Sequence, residues 1–89
     1  MRTMKQWRAE ILIGEDDGRT FAEARLITGS PNDLVGKGRA KVAPGDLDVP
    51  EVGDEVAVAR ALRDLGNRLL ATASADIGEF THEDVHLTR

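Results

Sequence analysis

The segment His82-Glu83-Asp84-Val85-His86 fits the H-E-x-x-H pattern. In that pattern two histidines one helical turn apart bind zinc and the glutamate acts as a base. The chemistry also needs a third protein ligand and rigid walls that keep one coordination position open. Only Leu87, Thr88 and Arg89 follow, and the chain has no further histidine. The segment therefore reads as a solvated C-terminus, and no metal is expected. Gly36-Lys37-Gly38 has the flavour of a phosphate loop, but it lies inside a strand pattern without the spacing or Ser/Thr of a P-loop. Ser30 and Ser74 have no histidine or acid at a useful separation, and neither occupies a nucleophile elbow. Glu15, Asp16, Asp17, Asp46 and Asp48 fall in turns, where carboxylates cap and solvate. With no cysteine, thiolate catalysis, disulfides and iron–sulfur clusters are excluded. The expectation is a protein that is not an enzyme, with no cofactor and no small-molecule substrate.

Two basic groups remain. Lys37, Arg39 and Lys41 alternate along one face of a strand, with Arg25 and Arg8 as candidate neighbours. Arg60, Arg63 and Arg68 lie on the polar side of a helix. The functional reading is a phosphate-contacting patch on ribosomal or other RNA, and the candidate RNA contacts are Lys37, Arg39, Lys41, Arg60 and Arg63. The competing reading is a solvated surface on a protein-interaction or regulatory homodimer that binds no nucleic acid. Glu10 and Glu23 would neutralise the strand through cross-strand pairs, and Asp64, four residues from both Arg60 and Arg68, would form an i,i+4 ladder. A formal net charge of −4 means that any nucleic-acid contact needs a local basic patch. Trp7, Phe21 and Phe80 are the aromatic residues, too few for a stacking platform along single-stranded bases.

These side chains must be positioned by a small set of elements. In the first candidate strand Trp7, Ala9, Ile11 and Ile13 alternate with Arg8, Glu10 and Leu12, a half-buried period of two. Glu15-Asp16-Asp17-Gly18 supplies a turn. Thr20–Ile27 alternates again, with a one-residue bulge near Gly18 as an alternative that would exchange its faces. Thr28–Asp33 is a longer turn, and Leu34–Val42 is a third strand with Gly36 and Gly38 on one face. Paired inward glycines predict close approach by another backbone, and the long helix is the candidate. Residues 43–50 form a linker in which Pro44 and Pro50 bar continuation of the strand.

Val52–Ser74 predicts the long helix, starting at Gly53-Asp54 with Asp54 as N-cap; a start with Pro50 as first helical residue is the alternative. At about 100° per residue, Val58, Leu62, Leu65, Leu69 and Ala73 share roughly 80° of arc and form the expected core stripe. Val56, Ala59 and Leu70 widen the apolar arc to roughly half the circumference. An 89-residue chain has little left to cover so broad a surface, so Val56, Ala59 and Leu70 are the expected homodimer interface. Residues 75–80 suggest a further short helix. No apolar run approaches the ~20 residues of a membrane span, and the N-terminus lacks the apolar core of a secretory signal. A cytoplasmic location is the default expectation.

Residues 34–46 (LVGKGRAKVAPGD), 49–70 (VPEVGDEVAVARALRDLGNRLL) and 75–82 (ADIGEFTH) resemble an actinobacterial family of small conserved proteins of unknown function, with Trp7 also in place. The resemblance covers most of the chain. It implies a fold akin to the double-stranded-RNA-binding domain (dsRBD) and a homodimer whose subunits exchange elements. It also implies a role in hypoxia or dormancy, by comparison with ribosome hibernation factors, from which this chain departs in being acidic overall. The family brings no catalytic residues. The expected architecture is one α+β domain over residues 1–89: a three-stranded antiparallel meander on one long helix with a short C-terminal helical tail, dsRBD-like and dimeric.

Overall fold

A computed structural model describes residues 2–41 and 49–81. Strands β1 (Arg8–Asp16), β2 (Arg19–Ile27) and β3 (Leu34–Lys41) form an antiparallel sheet of order β1-β2-β3, followed by helix α1 (Pro50–Thr81). Asp17 and Gly18 form the first hairpin turn with φ of 51° and 74°. Both central residues thus take the positive φ that a tight Asp-Gly hairpin requires. Pairing runs without a bulge from Arg8↔Ile27 to Asp16↔Arg19, because a two-residue turn closes the ladder in register. Ala9, Ile11 and Ile13 consequently share a face with Ala22, Ala24 and Leu26, and through β2 with Leu34, Gly36, Gly38 and Ala40.

That face receives the helix, and the glycine pair sets the distance. A Cβ on Gly36 would collide with the Ala61 carbonyl, the Leu65 amide and, at 2.7 Å, the Leu65 Cα. One on Gly38 would meet the Ala57 carbonyl and the Ala61 amide. The expected close approach is therefore met by the backbone of α1 itself. So near a contact admits only short side chains, and the core is Ala22, Ala24, Ala57, Ala61 and Leu65.

The expected core stripe is corrected accordingly. Leu65 faces the sheet and Val58 packs at its margin, but Leu62 is 45% exposed. Alanines 57 and 61 take the central places that larger side chains are too thick to fill. Two boundaries also move. The helix begins at Pro50, with the amides of Val52 and Gly53 bonded to the Val49 carbonyl. Proline suits this first position because its missing N–H would have had no helical acceptor. At the other end the helix continues to Thr81 instead of yielding to a separate short tail. Nothing in Ser74-Ala75-Asp76 stops a helix, and no proline follows.

The sheet is covered unevenly. Helix α1 lies over β2 and β3, while all nine residues of β1 are exposed. The half-burial expected for β1 is therefore not met within one chain, although its alternation is. Among the described residues no large side chain is fully buried. The radius of gyration is 16.7 Å, against about 12 Å for a compact domain of this length.

Candidate basic interface and an uncovered apolar corner

Alternation places Lys37, Arg39 and Lys41 on the face of β3 turned away from the helix. The partners of Phe21, Glu23 and Arg25 across β2–β3 are Arg39, Lys37 and Val35. The expected neutralisation is only partial. Glu10 pairs with Arg8 on its own strand (3.8 Å), and Arg25 pairs with Asp33 (3.7 Å). Lys37 faces Glu23 in register, yet among the described residues neither forms an ion pair. The same holds for Arg19, Arg39, Lys41, Arg60 and Arg63.

Helix α1 adds Arg60 to this surface. Its Nη1 donates to the Arg39 carbonyl oxygen at 2.6 Å, so Arg60 reaches across the outer edge of β3 and leaves the ladder expected with Asp64. Asp64 keeps the other half of that ladder, accepting from Arg68 Nε at 3.0 Å, and accepts from the Lys37 backbone amide at 2.8 Å. The outer edge of β3 is thereby tied to the helix at two points. Arg63 lies on the flank turned away from the sheet and does not join the cluster.

The amide of Lys37, and after it the hydrogen bond from Arg68, hold the Asp64 carboxyl below its ordinary value of 3.8, with desolvation opposing. A lowered folded value contributes stability above the ordinary pKa that fades as pH falls through the folded one. Asp64→Asn is therefore expected to lower the melting temperature at neutral pH, with the gap to wild type closing as pH falls below the ordinary carboxylate value and through the lowered folded one. A gap unchanged by acid would remove the carboxylate from the account.

At the end of β2–β3 beside the β1–β2 hairpin, Arg19, Thr20, Phe21, Arg39, Ala40, Lys41 and Arg60 line a notch of about 300 Å³. Of the sequence-derived candidates, Arg39, Lys41 and Arg60 meet here. Lys37 lies farther along the strand. Arg19 joins them as a residue outside those candidates, its signal in the sequence being the period of two through Phe21. Register places Arg19 opposite Lys41. The Arg39 guanidinium sits 5.7 Å from the Phe21 ring centroid, within cation–π range.

The second feature is apolar. Asp64 and Arg60 point to β3, so the opposite flank of α1, carrying Val58, Leu62 and Leu69, looks toward β1. Ile11 and Ile13 on the inner face of β1 are 39% and 43% exposed and form a corner with that flank. Of the expected interface residues, Val56 and Leu70 are half-buried and Ala59 is exposed, all on the side of α1 away from the sheet. The described residues contain no cluster of three metal-ligating side chains, and His82–His86 lies outside them. No described helix is long and apolar enough to cross a membrane.

A profile of the Rv2632c-like family matches residues 5–86. The chain belongs to the Rv2632c-like family. Among its relatives are the uncharacterized protein Mb1767 of Mycobacterium bovis and the uncharacterized protein Rv2632c of Mycobacterium tuberculosis. Mb1767 is 45% identical over 84 residues, covering 94% of this chain and 88% of the relative. Rv2632c is 46% identical over 81 residues, covering 91% and 86%. The crystal structure of Rv2632c matches with a TM-score of 0.82 at 44% identity, over 92% of this chain and 96% of that one. The α+β arrangement of three antiparallel strands and one long helix is thus shared with a solved Rv2632c-like structure.

Proposed function

We propose that this Rv2632c-like protein works as a non-enzymatic homodimer in which a second copy covers the corner between β1 and α1. The observation that carries this reading is the contrast between the sheet's two edges. Asp64 and Arg60 occupy the outer edge of β3, while among the described residues no such bond reaches β1. A long, bare strand with apolar side chains is a template for pairing with another chain. The flank of Val56, Ala59 and Leu70 is the second candidate. The bare inner face of β1, with Ile11 and Ile13 about two-fifths exposed, favours the corner. Light scattering on the purified protein is expected to give the mass of two chains, and a one-chain mass at high concentration would overturn the dimer.

The basic outer face favours contact with structured RNA as the dimer's task. In a dsRBD-like reading of the fold, Lys37, Arg39, Lys41 and Arg60 meet phosphates in the cytoplasm, while Arg63, on the far flank of α1, stands outside that face. A stress or dormancy factor acting on the ribosome in the manner of a hibernation factor fits that chemistry. The protein is then expected to co-sediment with ribosomes at low salt. Binding should fall steeply as salt rises and weaken further with Lys37→Glu/Arg39→Glu. Absence of co-sedimentation at low salt would remove the ribosome from the proposal while leaving the dimer untouched.

A further inference from the structure

We infer that the notch at the end of β2–β3 beside the β1–β2 hairpin binds the phosphates of a nucleotide, with Arg19, Arg39, Lys41 and Arg60 as its anion ligands and Phe21 as a stacking surface for the base. The inference is independent of the dimer and goes beyond general contact between the basic face and RNA. Four cations from three elements line one concavity, and among the described residues no carboxylate lines it. In a chain of net charge −4 this is a strong local reversal of sign, and none of the four forms an ion pair with the described residues. A single carboxylate would leave most of that charge uncompensated, whereas consecutive phosphates match it.

The donors are partly preorganised. Arg60 is anchored through one nitrogen to the Arg39 carbonyl oxygen, leaving its other N–H groups for a ligand. The Arg39 guanidinium lies over one side of Phe21, which holds its plane while its edge still donates. Planar guanidinium groups fixed in this way suit two-point recognition of phosphate oxygens. The volume of about 300 Å³ stands at the lower end of the range for small-molecule sites. The other side of Phe21 is open as well. Its register partner on β1 is Gly14, and a Cβ placed there would meet nothing within 4 Å. A base can therefore lie on the ring from the β1 side while its phosphates reach the cations on the β3 side.

Calorimetric titration of the full chain at low ionic strength tests this with adenosine triphosphate, pyrophosphate, and RNA oligonucleotides bearing either a 5′-triphosphate or a 5′-hydroxyl. Saturable binding of adenosine triphosphate is expected. It should weaken about tenfold with Arg60→Gln or Arg39→Gln and stay unchanged with Arg63→Gln. Phe21→Ala should weaken the nucleotide about tenfold and leave pyrophosphate unaffected. Because Arg60 also holds β3, Arg19→Gln/Lys41→Gln provides a second variant, neither side chain having a hydrogen bond among the described residues. Tighter binding of the 5′-triphosphate oligonucleotide than of adenosine triphosphate would identify an RNA end as the natural source, and equal or weaker binding a free nucleotide. No binding of adenosine triphosphate, or affinity unchanged in both Arg60→Gln and Arg19→Gln/Lys41→Gln, would overturn the site. A protein that binds the nucleotide but ignores ribosomes leaves the notch standing without the ribosome reading.

Discussion

Gly38→Ala and Gly36→Ala should each destabilise the fold by about 3 kcal/mol, the upper part of the usual overpacking range. One methyl group has this effect because its neighbours are main-chain atoms of Ala57, Ala61 and Leu65, which cannot rotate aside as a side chain would. The helix must lift from β3, and Ala22, Ala24 and Ala61 lose contact together. For a domain of this size that loss corresponds to a drop of roughly 12–24 °C in melting temperature, readable by circular dichroism. Gly66→Ala is the control. It lies in α1 with open space around its Cβ position, so removing a helical glycine should stabilise by about 0.5–1 kcal/mol. Melting temperatures that move alike at positions 36, 38 and 66 would contradict the backbone contact.

The second large effect concerns assembly. Ile13→Glu, and more strongly Ile11→Glu/Ile13→Glu, should convert a two-chain particle into a one-chain particle by light scattering. Both side chains are already about two-fifths exposed in the isolated chain and stand outside its alanine core. A buried carboxylate facing its symmetry mate is costly when unpaired, so the charge should act on the interface first. Val56→Glu/Leu70→Glu tests the other flank. Dissociation by that pair with no response to Ile13→Glu would move the interface to the far side of α1.

The helix shows what could and could not be read from the chain. Alternation located the strands, Asp17-Gly18 located the turn, and the paired glycines of β3 announced a close neighbour. The rotation of α1 was harder, because ranking by hydrophobicity favours Val58, Leu62 and Leu69. Close approach reverses the ranking: where two backbones nearly touch, the best core residue is the smallest, and Ala57 and Ala61 take the centre. The glycines that revealed the contact therefore also carried the information on which face of the helix meets it. Extension of α1 to Thr81 escaped because no single residue after Ser74 marks a stop or a start. Of the notch, Arg39, Lys41 and Arg60 were visible as charges, but their convergence depends on Arg60 crossing the edge of β3, which periodicity does not encode. Arg19 stayed hidden because it adjoins the acidic turn and reads as part of it.

The ties from Asp64 and Arg60 to Lys37 and Arg39 have a consequence for how many copies can join. A ribbon open along both margins can recruit neighbours without end, the route to fibrils. Here one margin is tied down at two points by the molecule's own side chains, and among the described residues the other carries no such tie. In the proposed homodimer, two such ribbons would meet about a two-fold axis through their untied margins. Growth would then stop at a pair, with the ties on β3 guarding against runaway polymerisation.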